Sequence, residues 1–333
     1  FVKLSAIGDV LHGVPAAVAA KRAFPRARIG WVVEGRAADV LAGHRAVDHL
    51  FRLPRGWVGK WATVRTLRRQ LLAFGADVAV DMQGLLKSGL ATWLSGAPVR
   101  IGHAPPESRE GSWLALTRTV PTTASHVIDR NCGLLAPLGI HAPTVSFDMP
   151  DWPVSRRRMQ DYLASLRLHV PPVVINPGAG WRSKLWPEDR FATVARELHG
   201  RHGRRVVIVW AGDAERAMAE RIAAAAPEAT VIAPRTSLAD LGALCRLARL
   251  FVSSDTGPLH LAAAVGTPCV GLFGPVPSDR NGPYGAIHAC VEPPASLRPQ
   301  WRDRKTDTRA MAGIDTDRVL AACDVLLARA EAA

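Results

Sequence analysis

Four short segments carry side chains that could act on a charged substrate, and each lies where a strand-like run meets a turn. In residues 253–264 an apolar strand ends in Ser253 and Ser254, and a helix follows at once from Asp255, Thr256 and Gly257. The unpaired N–H groups of such a first turn, with the helix dipole behind them, bind anions and suit phosphate. Thr256 adds a hydroxyl, Gly257 removes bulk, and His260 falls on the same turn. A capped helix with a core-packed histidine is the plainer alternative. In residues 176–187 a glycine-rich turn, Gly178-Ala179-Gly180, precedes Arg182 and Lys184, and Pro187 then starts a helix. Backbone amides plus Lys184 could neutralise a diphosphate without a metal, although many surface turns look alike. In residues 3–12 a strand gives way to Gly8 and a helix, which puts Asp9 at the carboxyl end of the first strand. Open α/β sheets hold their ligands at that end; N-capping is the plainer use of the carboxylate. In residues 81–88 Lys87 follows a strand end, either as a solvated helix residue or as a contact for an acidic substrate.

The overall charge favours such a substrate. Lys and Arg number 42 against 29 Asp and Glu, a net +13, which points to nucleic acid, an anionic membrane surface or an acidic substrate. Residues 49–76 hold Arg52, Arg55, Lys60, Arg65, Arg68 and Arg69, no acidic residue, and Trp57 and Trp61. Basic residues with interfacial tryptophan suit an anionic membrane or lipid acceptor; a solvated helix face is the alternative. No nucleic-acid-binding motif accompanies the charge, so nucleic acid ranks low.

These segments need a scaffold that repeats strand, turn and helix. A chain of 333 residues favours two domains, and 48% hydrophobic with 21% charged residues is enough to build two cores and excludes general disorder. Strand-like runs at 29–33, 50–53, 78–81 and 99–102 form a first series; runs at 173–176, 205–210, 230–232, 250–253 and 269–273 form a second. Helical patterns alternate with them, at 191–199, at 214–226, and from Trp61 with Val64, Leu67, Leu71 and Leu72 on one face. The fold class expected is α/β, two doubly wound domains. Their break falls near 148–158, giving 1–150 and 151–314, with 315–333 as a last helix carrying Val319, Leu320, Cys323, Leu326 and Leu327. Residues 292–312, rich in Pro and Arg, read as a surface excursion.

Several chemistries drop out. No G-x-G-x-x-G follows a strand, and neither a P-loop nor a G-x-S-x-G elbow is present. Asp315-Thr316-Asp317 has the D-x-D form that holds a divalent ion in some sugar transferases, but its place before an amphipathic helix makes it a cap. His199 and His202 precede Gly203 and read as a solvated helix end rather than a metal pair. The five cysteines, Cys132, Cys245, Cys269, Cys290 and Cys323, are scattered and read as buried thiols of a reducing compartment, the cytoplasm by default. The longest apolar stretch, 259–274, contains His260 and Pro268, so no spanning helix is expected, and no signal-peptide pattern is present. Phe1-Val2-Lys3 opens as if inside a strand, which predicts residues before it.

Taken together, residues 3–12, 31–34, 81–88, 108–110, 184–187, 210–215, 255–260, 273–275 and 282–285 resemble glycosyltransferase family 9, the lipopolysaccharide heptosyltransferases, and most of all its members that add the first heptose of the inner core. Asp255-Thr256-Gly257 with His260, together with Gly8-Asp9-Val10-Leu11-His12, are its specific marks. The resemblance implies a GT-B fold, two Rossmann-like domains facing a cleft, with residues 315–333 returning toward the N-terminal domain. It implies inverting, metal-independent transfer of L-glycero-D-manno-heptose from ADP-heptose to Kdo of Kdo-lipid A, with no cofactor, at the cytoplasmic face of the inner membrane as a peripheral protein. Asp9 would be the general base. Gly180, Lys184, Glu215, Asp255, Thr256, Gly257 and His260 would serve the donor, with Glu215 accepting from the ribose hydroxyls; Lys87, Arg109 and Arg55 would serve the anionic acceptor. Two departures stand out: Gly178-Ala179-Gly180 where threonine hydroxyls often stand, and Arg55-Gly56-Trp57-Val58-Gly59, less basic than the usual acceptor loop. A transferase adding the second heptose, or another sugar to an anionic glycolipid, is the alternative, and a nucleotide-sugar epimerase a further one.

Overall fold

Each strand of this chain is followed by a helix or a long crossover, and strands joined in that way pair in parallel. The computed structural model describes residues 1–331. It divides into two units, Phe1–Pro150 and the described residues from Asp151 onward.

In the first unit β1 (Gly30–Glu34) pairs with β2 (His49–Leu53), and β3 (Val78–Asp81), β4 (Val99–His103) and β5 (Arg118–Val120) form a second parallel set. The opening residues join the two sets. Val2 bridges both Val32 and Asp81, its N–H donates to the Val80 carbonyl at 2.8 Å, and the Glu34 N–H donates to Leu4 at 2.8 Å. Residues 2–4 thus act as a central strand with β1 and β2 on one side and β3 to β5 on the other. Connections leave in opposite directions there, which makes a topological switch point. The helices are α1 (Ile7–Ala23), α2 (Trp61–Phe74), α3 (Leu86–Leu94) and α4 (Val127–Gly133). Helix α1 is buried from Val10 to Ala20, and it packs close because Gly13 has no side chain: a Cβ there would lie 2.9 Å from Met82 and 3.0 Å from Trp31. Helix α2 buries Val64, Leu67 and Leu71. Leu72, expected on that face, is half-exposed, because one residue turns the helix by roughly 100°.

The second unit holds one six-stranded parallel sheet in the order β11-β10-β9-β6-β7-β8. Its strands are β6 (Val173–Asn176), β7 (Val206–Ile208), β8 (Thr230–Ile232), β9 (Leu250–Ser254), β10 (Cys269–Leu272) and β11 (Ala289–Val291). Strands β6 and β9 are buried at every residue, as helices on both faces require. The switch point lies between them. Helices α5 (Pro153–Ser165), α6 (Glu188–His202), α7 (Asp213–Ala225), α8 (Leu238–Leu247), α9 (Gly257–Ala264), α10 (Ser278–Asn281), α11 (Arg309–Ala312) and α12 (Thr316–Glu331) complete it. Strands β5 and β11 had no clear sequence signal; each is an edge strand of three residues, too short to show a pattern, and β5 begins with Arg118 and Thr119.

The structure corrects several sequence expectations. The apolar stripe of α12 packs on its own unit: Val319, Leu320, Cys323, Leu326 and Leu327 are buried in the core of the second unit, against α6 and strands β9 to β11. His202 is not a solvated end, for its Nε2 lies 2.7 Å from Asp324 on α12. The stretch 292–312 is not wholly a surface excursion, since Ala310 and Met311 are fully buried and Met311 fills the space beside Gly274. Cys290 is exposed, unlike the other four thiols. The Asp315 carboxylate accepts the Asp317 N–H at 3.0 Å, so the D-x-D residues do cap α12. Among the described residues no helix is long and apolar enough to cross a membrane.

Candidate functional site

Both units present their chemistry at the carboxyl ends of the strands beside the switch point, where two loops diverge and leave backbone groups free for a ligand.

In the second unit the polar ends of β6 and β9 meet. Asn176, the last residue of β6, donates from Nδ2 to Ser253 Oγ at 3.0 Å and to Thr256 Oγ1 at 3.4 Å. Thr256 is the N-cap of α9 and accepts the Leu259 N–H at 3.5 Å, and Pro258 fits the first turn because it has no N–H to lose. Just before it, Asp255 is 9% exposed. Its Oδ2 takes a hydrogen bond from Lys184 Nζ at 2.5 Å, and its Oδ1 lies 3.0 Å from His260 Nε2. Burial pushes the Asp255 carboxyl up, but His260 and the Lys184 ammonium outweigh that and hold it well below the usual carboxylate range. Lys184 also donates to the Asp255 carbonyl at 3.2 Å, and its ammonium sits 4.6 Å above the Trp181 ring. A cation is therefore fixed beside the start of a helix, an arrangement suited to phosphate oxygens.

Glu215 comes from the first turn of α7. Its Oε2 accepts the Ala211 N–H at 2.7 Å, and its carboxylate lies against the backbone of Gly178, where a Cβ would come within 2.7 Å of Oε2. Burial raises its pKa, with the Ala211 N–H opposing. The glycine turn is thus in part a seat for a carboxylate. Gly180, by contrast, is exposed and has open space where a side chain would be. Beside the start of α7 opens a cavity of about 930 Å³ lined by Trp210, Asp213, Arg216, Tyr162 and Arg235 among others.

In the first unit Asp9 is exposed in the first turn of α1, and its Oδ2 accepts the Ala6 N–H at 3.0 Å. It caps the helix and still faces solvent. Lys87 reaches across to Glu34, Nζ to Oε2 2.8 Å, and to the Ser5 hydroxyl at 3.4 Å. Glu34 is 7% exposed, and its other oxygen accepts the Trp57 indole N–H at 2.8 Å. Trp57, expected at a membrane interface, is fully buried on that carboxylate. Arg55 is exposed and lies over Gly35. Arg109 is also exposed, held by its N–H to the Gly84 carbonyl at 2.8 Å. Gly84 has φ +66, and a Cβ there would meet the Glu107 carbonyl at 2.9 Å. Three residues of this half were not singled out as site residues from sequence: Glu34, Ser5 and Gln83. The Gln83 amide accepts the Leu4 N–H at 2.6 Å and donates to the Ser5 carbonyl at 3.0 Å, which fixes the loop that leads to Asp9. A polar residue closing an apolar strand, as Glu34 closes Trp31-Val32-Val33, was the available signal.

Among the described residues no cluster of His, Cys, Asp and Glu is arranged to hold a metal ion.

Two parallel α/β units, each with its polar groups at a switch point, define the GT-B class of glycosyltransferase. The chain belongs to glycosyltransferase family 9 (heptosyltransferase), whose model matches residues 64–307, and it is a glycosyltransferase. It is 32% identical over 323 residues to lipopolysaccharide heptosyltransferase 1 of Pseudomonas aeruginosa, covering 91% of this chain and 89% of that one, and 29% identical over 311 residues to lipopolysaccharide heptosyltransferase 1 of Salmonella typhimurium, covering 89% and 94%. Among solved structures, E. coli heptosyltransferase WaaC with ADP-2-deoxy-2-fluoro heptose superposes with a TM-score of 0.77 at 25% identity, covering 97% of this chain and 98% of that one. A glycosyl transferase family 9 protein from Veillonella parvula shares the fold at a TM-score of 0.83 and 21% identity, covering 98% and 96%.

Proposed function

We propose that the chain transfers L-glycero-D-manno-heptose from ADP-heptose to Kdo of the lipopolysaccharide inner core, with inversion and without a metal, working as a peripheral protein at the cytoplasmic face of the inner membrane. The observation that carries the reading is the Lys184–Asp255–His260 cluster beside the Thr256-capped start of α9. It fixes the Lys184 ammonium beside the N–H groups of a helix start, where a departing diphosphate needs donors. The donor's nucleoside lies toward Glu215, whose carboxylate accepts ribose hydroxyls, and the cavity beside Trp210 has room for the base. Lys87, Arg109 and Arg55 supply cations for the Kdo carboxylate.

The chemistry balances with these groups. The acceptor hydroxyl oxygen attacks the anomeric carbon from the face opposite the leaving group. A carbon–oxygen bond forms as the bond from that carbon to the β-phosphate oxygen breaks. ADP leaves with the electron pair, and the hydroxyl proton passes to the Asp9 carboxylate.

The test is transfer from ADP-heptose to Kdo-lipid A in the presence of a chelator, with the product's anomeric configuration read by NMR. Inverted product under chelation is expected; retained configuration, or loss of transfer with the chelator, overturns the mechanism. Heptosylated core offered beside Kdo-lipid A reads out the second-heptose alternative, and donor incubated alone reads out epimerisation. ADP at a hundred times its dissociation constant is expected to stabilise the protein by about 2.7 kcal/mol, and stronger stabilisation by UDP would count against the donor assignment.

A further inference from the structure

We propose that the outer face of α2, α3 and the turn Ser112–Ala115 docks on an anionic lipid bilayer. The proposal deepens the reading of a membrane-bound acceptor and rests on it for its purpose, but the surface stands on its own observations.

Trp61, Arg65, Arg68 and Leu72 follow one another at spacings of four, three and four, so they form one stripe along α2. That stripe runs beside α3. The Arg68 guanidinium lies 5.8 Å from the Trp93 ring centre, and Leu72 fills the space next to Gly96. On α3 itself, Leu86 and Trp93 stand two turns apart on one side of the helix. The turn Ser112–Ala115 packs on the same helix at Gly89, where a Cβ would touch the Ser112 backbone at 3.1 Å. It adds Trp113 and Leu114. These are large apolar side chains in solvent: Trp61 is 77% exposed, Leu86 61%, Trp93 54% and Leu114 82%. Single exposed apolar side chains are ordinary; four on adjoining elements at this exposure form a patch that calls for a partner.

Charge decides which partner. Neither helix nor the turn contains an Asp or Glu, while Arg65, Arg68, Arg69 and Lys87 lie on the two helices. Of the acids that reach α3, Glu34 and Asp81 are buried, on Lys87 and Ser88, and Glu110 accepts the Leu86 N–H at 3.1 Å and so sits on the positive end of the helix. A face of one sign repels a second copy of itself, and no acid is present to pair across such a dimer. Tryptophan, leucine and arginine without acids match the interfacial zone of an anionic bilayer, with rings at headgroup depth and guanidinium groups among phosphates. The starts of α2 and α3 lie at the same sheet edge as Asp9 and Lys87. Docking there would bring the headgroup of a lipid-linked acceptor to that edge while its acyl chains stay in the membrane.

The experiment is co-sedimentation of the whole chain with vesicles of mixed phosphatidylcholine and phosphatidylglycerol, or of phosphatidylcholine alone. Two variants accompany it, R65E with R68E, and W93A with L114S, each checked for a wild-type melting temperature. Wild type is expected to bind the mixed vesicles, to release in high salt and to ignore the neutral ones. Each basic residue near such a surface counts about fivefold, so the charge variant is expected to bind at least about 25-fold more weakly. The apolar variant is expected to weaken as well. Both are expected to match wild type in turnover of a deacylated, water-soluble acceptor. Equal binding of variants and wild type, equal binding to neutral vesicles, or a wild-type dimer that both variants dissociate without change in vesicle binding overturns the proposal. Failure of the transferase reading would appear as absent turnover in all proteins with the vesicle pattern intact; failure of the docking surface would leave turnover intact.

Discussion

The carboxylate of Glu215 occupies the space in which a side chain on Gly178 would begin. This contact joins the turn after β6 to the first turn of α7 and fixes a negative group at the proposed ribose site. Because the obstructing atoms are the far end of a flexible side chain, G178A is expected to swing Glu215 away at little cost in stability. A lost hydrogen bond to a charged group is worth about 1.5–3 kcal/mol. Steady-state kinetics should therefore show the donor KM raised at least about tenfold, with a melting temperature near wild type. A normal donor KM in G178A would remove Glu215 from donor binding.

Glu215 also sets a pH trend. Burial raises its pKa in the fold, so the folded state disfavours its ionised form. The resulting penalty is absent below the ordinary glutamate pKa of about 4.3 and appears as pH rises through the raised folded value. The variant E215Q escapes it. Thermal melts from about pH 4 to pH 7 should show the variant gaining on wild type as pH rises, while its ADP-induced stabilisation falls. Parallel melting curves would contradict the burial argument.

Asp255 behaves in the opposite sense. Its carboxyl is held below the ordinary range by His260 and Lys184, so it stabilises the fold above a pH of about 3.9, and that stability is lost only as pH falls through the lower folded value. Replacing it leaves Lys184 and His260 without their anion. Breaking a buried pair in this way costs about 3–5 kcal/mol. D255N should melt well below wild type at neutral pH, and the gap should close under acid. An unchanged melting temperature would mean that the cluster contributes nothing to the fold.

The cluster of the second unit was more legible in the sequence than that of the first, for a physical reason. Asp255, Thr256, Gly257 and His260 act within one turn of a helix, so spacing alone brings them together. Lys184 meets Asp255 from 71 residues away, and only the parallel pairing of β6 with β9 supplies that contact. Glu34, Lys87 and Trp57 meet across three separate connections; local sequence made Trp57 look interfacial because nothing nearby shows the carboxylate that takes its indole. Helix α12 has the same lesson in packing. Its stripe revealed that one face is buried, but which core receives it depends on α6 and β9 to β11.

Glu34 is the anchor of the proposed acceptor half. With one oxygen on the Trp57 indole and the other on Lys87, it holds a cation in place and satisfies a fully buried donor. Removing a partner of a buried donor costs about 1–3 kcal/mol. E34A should lose about that much in chemical denaturation. E34Q, which still accepts from Trp57 but no longer holds the ammonium by charge, should recover most of the stability and show an altered acceptor KM with an unchanged donor KM. Equal stability of E34A and wild type would show that Trp57 finds another acceptor.

Asp9 gives the sharpest separation of cap from catalyst. Its carboxylate accepts the Ala6 N–H, and an asparagine oxygen accepts equally well at such a position, so D9N should keep the helix start and the melting temperature within the worth of one cap, about 1 kcal/mol. Asparagine cannot take a proton from an attacking hydroxyl. A lost general base lowers turnover by about 10²–10⁴-fold, so kcat is expected to fall by that factor while ADP still stabilises the protein as in wild type. If turnover stayed near wild type, the helix cap would be the whole role of Asp9, and the proton would have to leave through another group at the carboxyl edge of the first sheet.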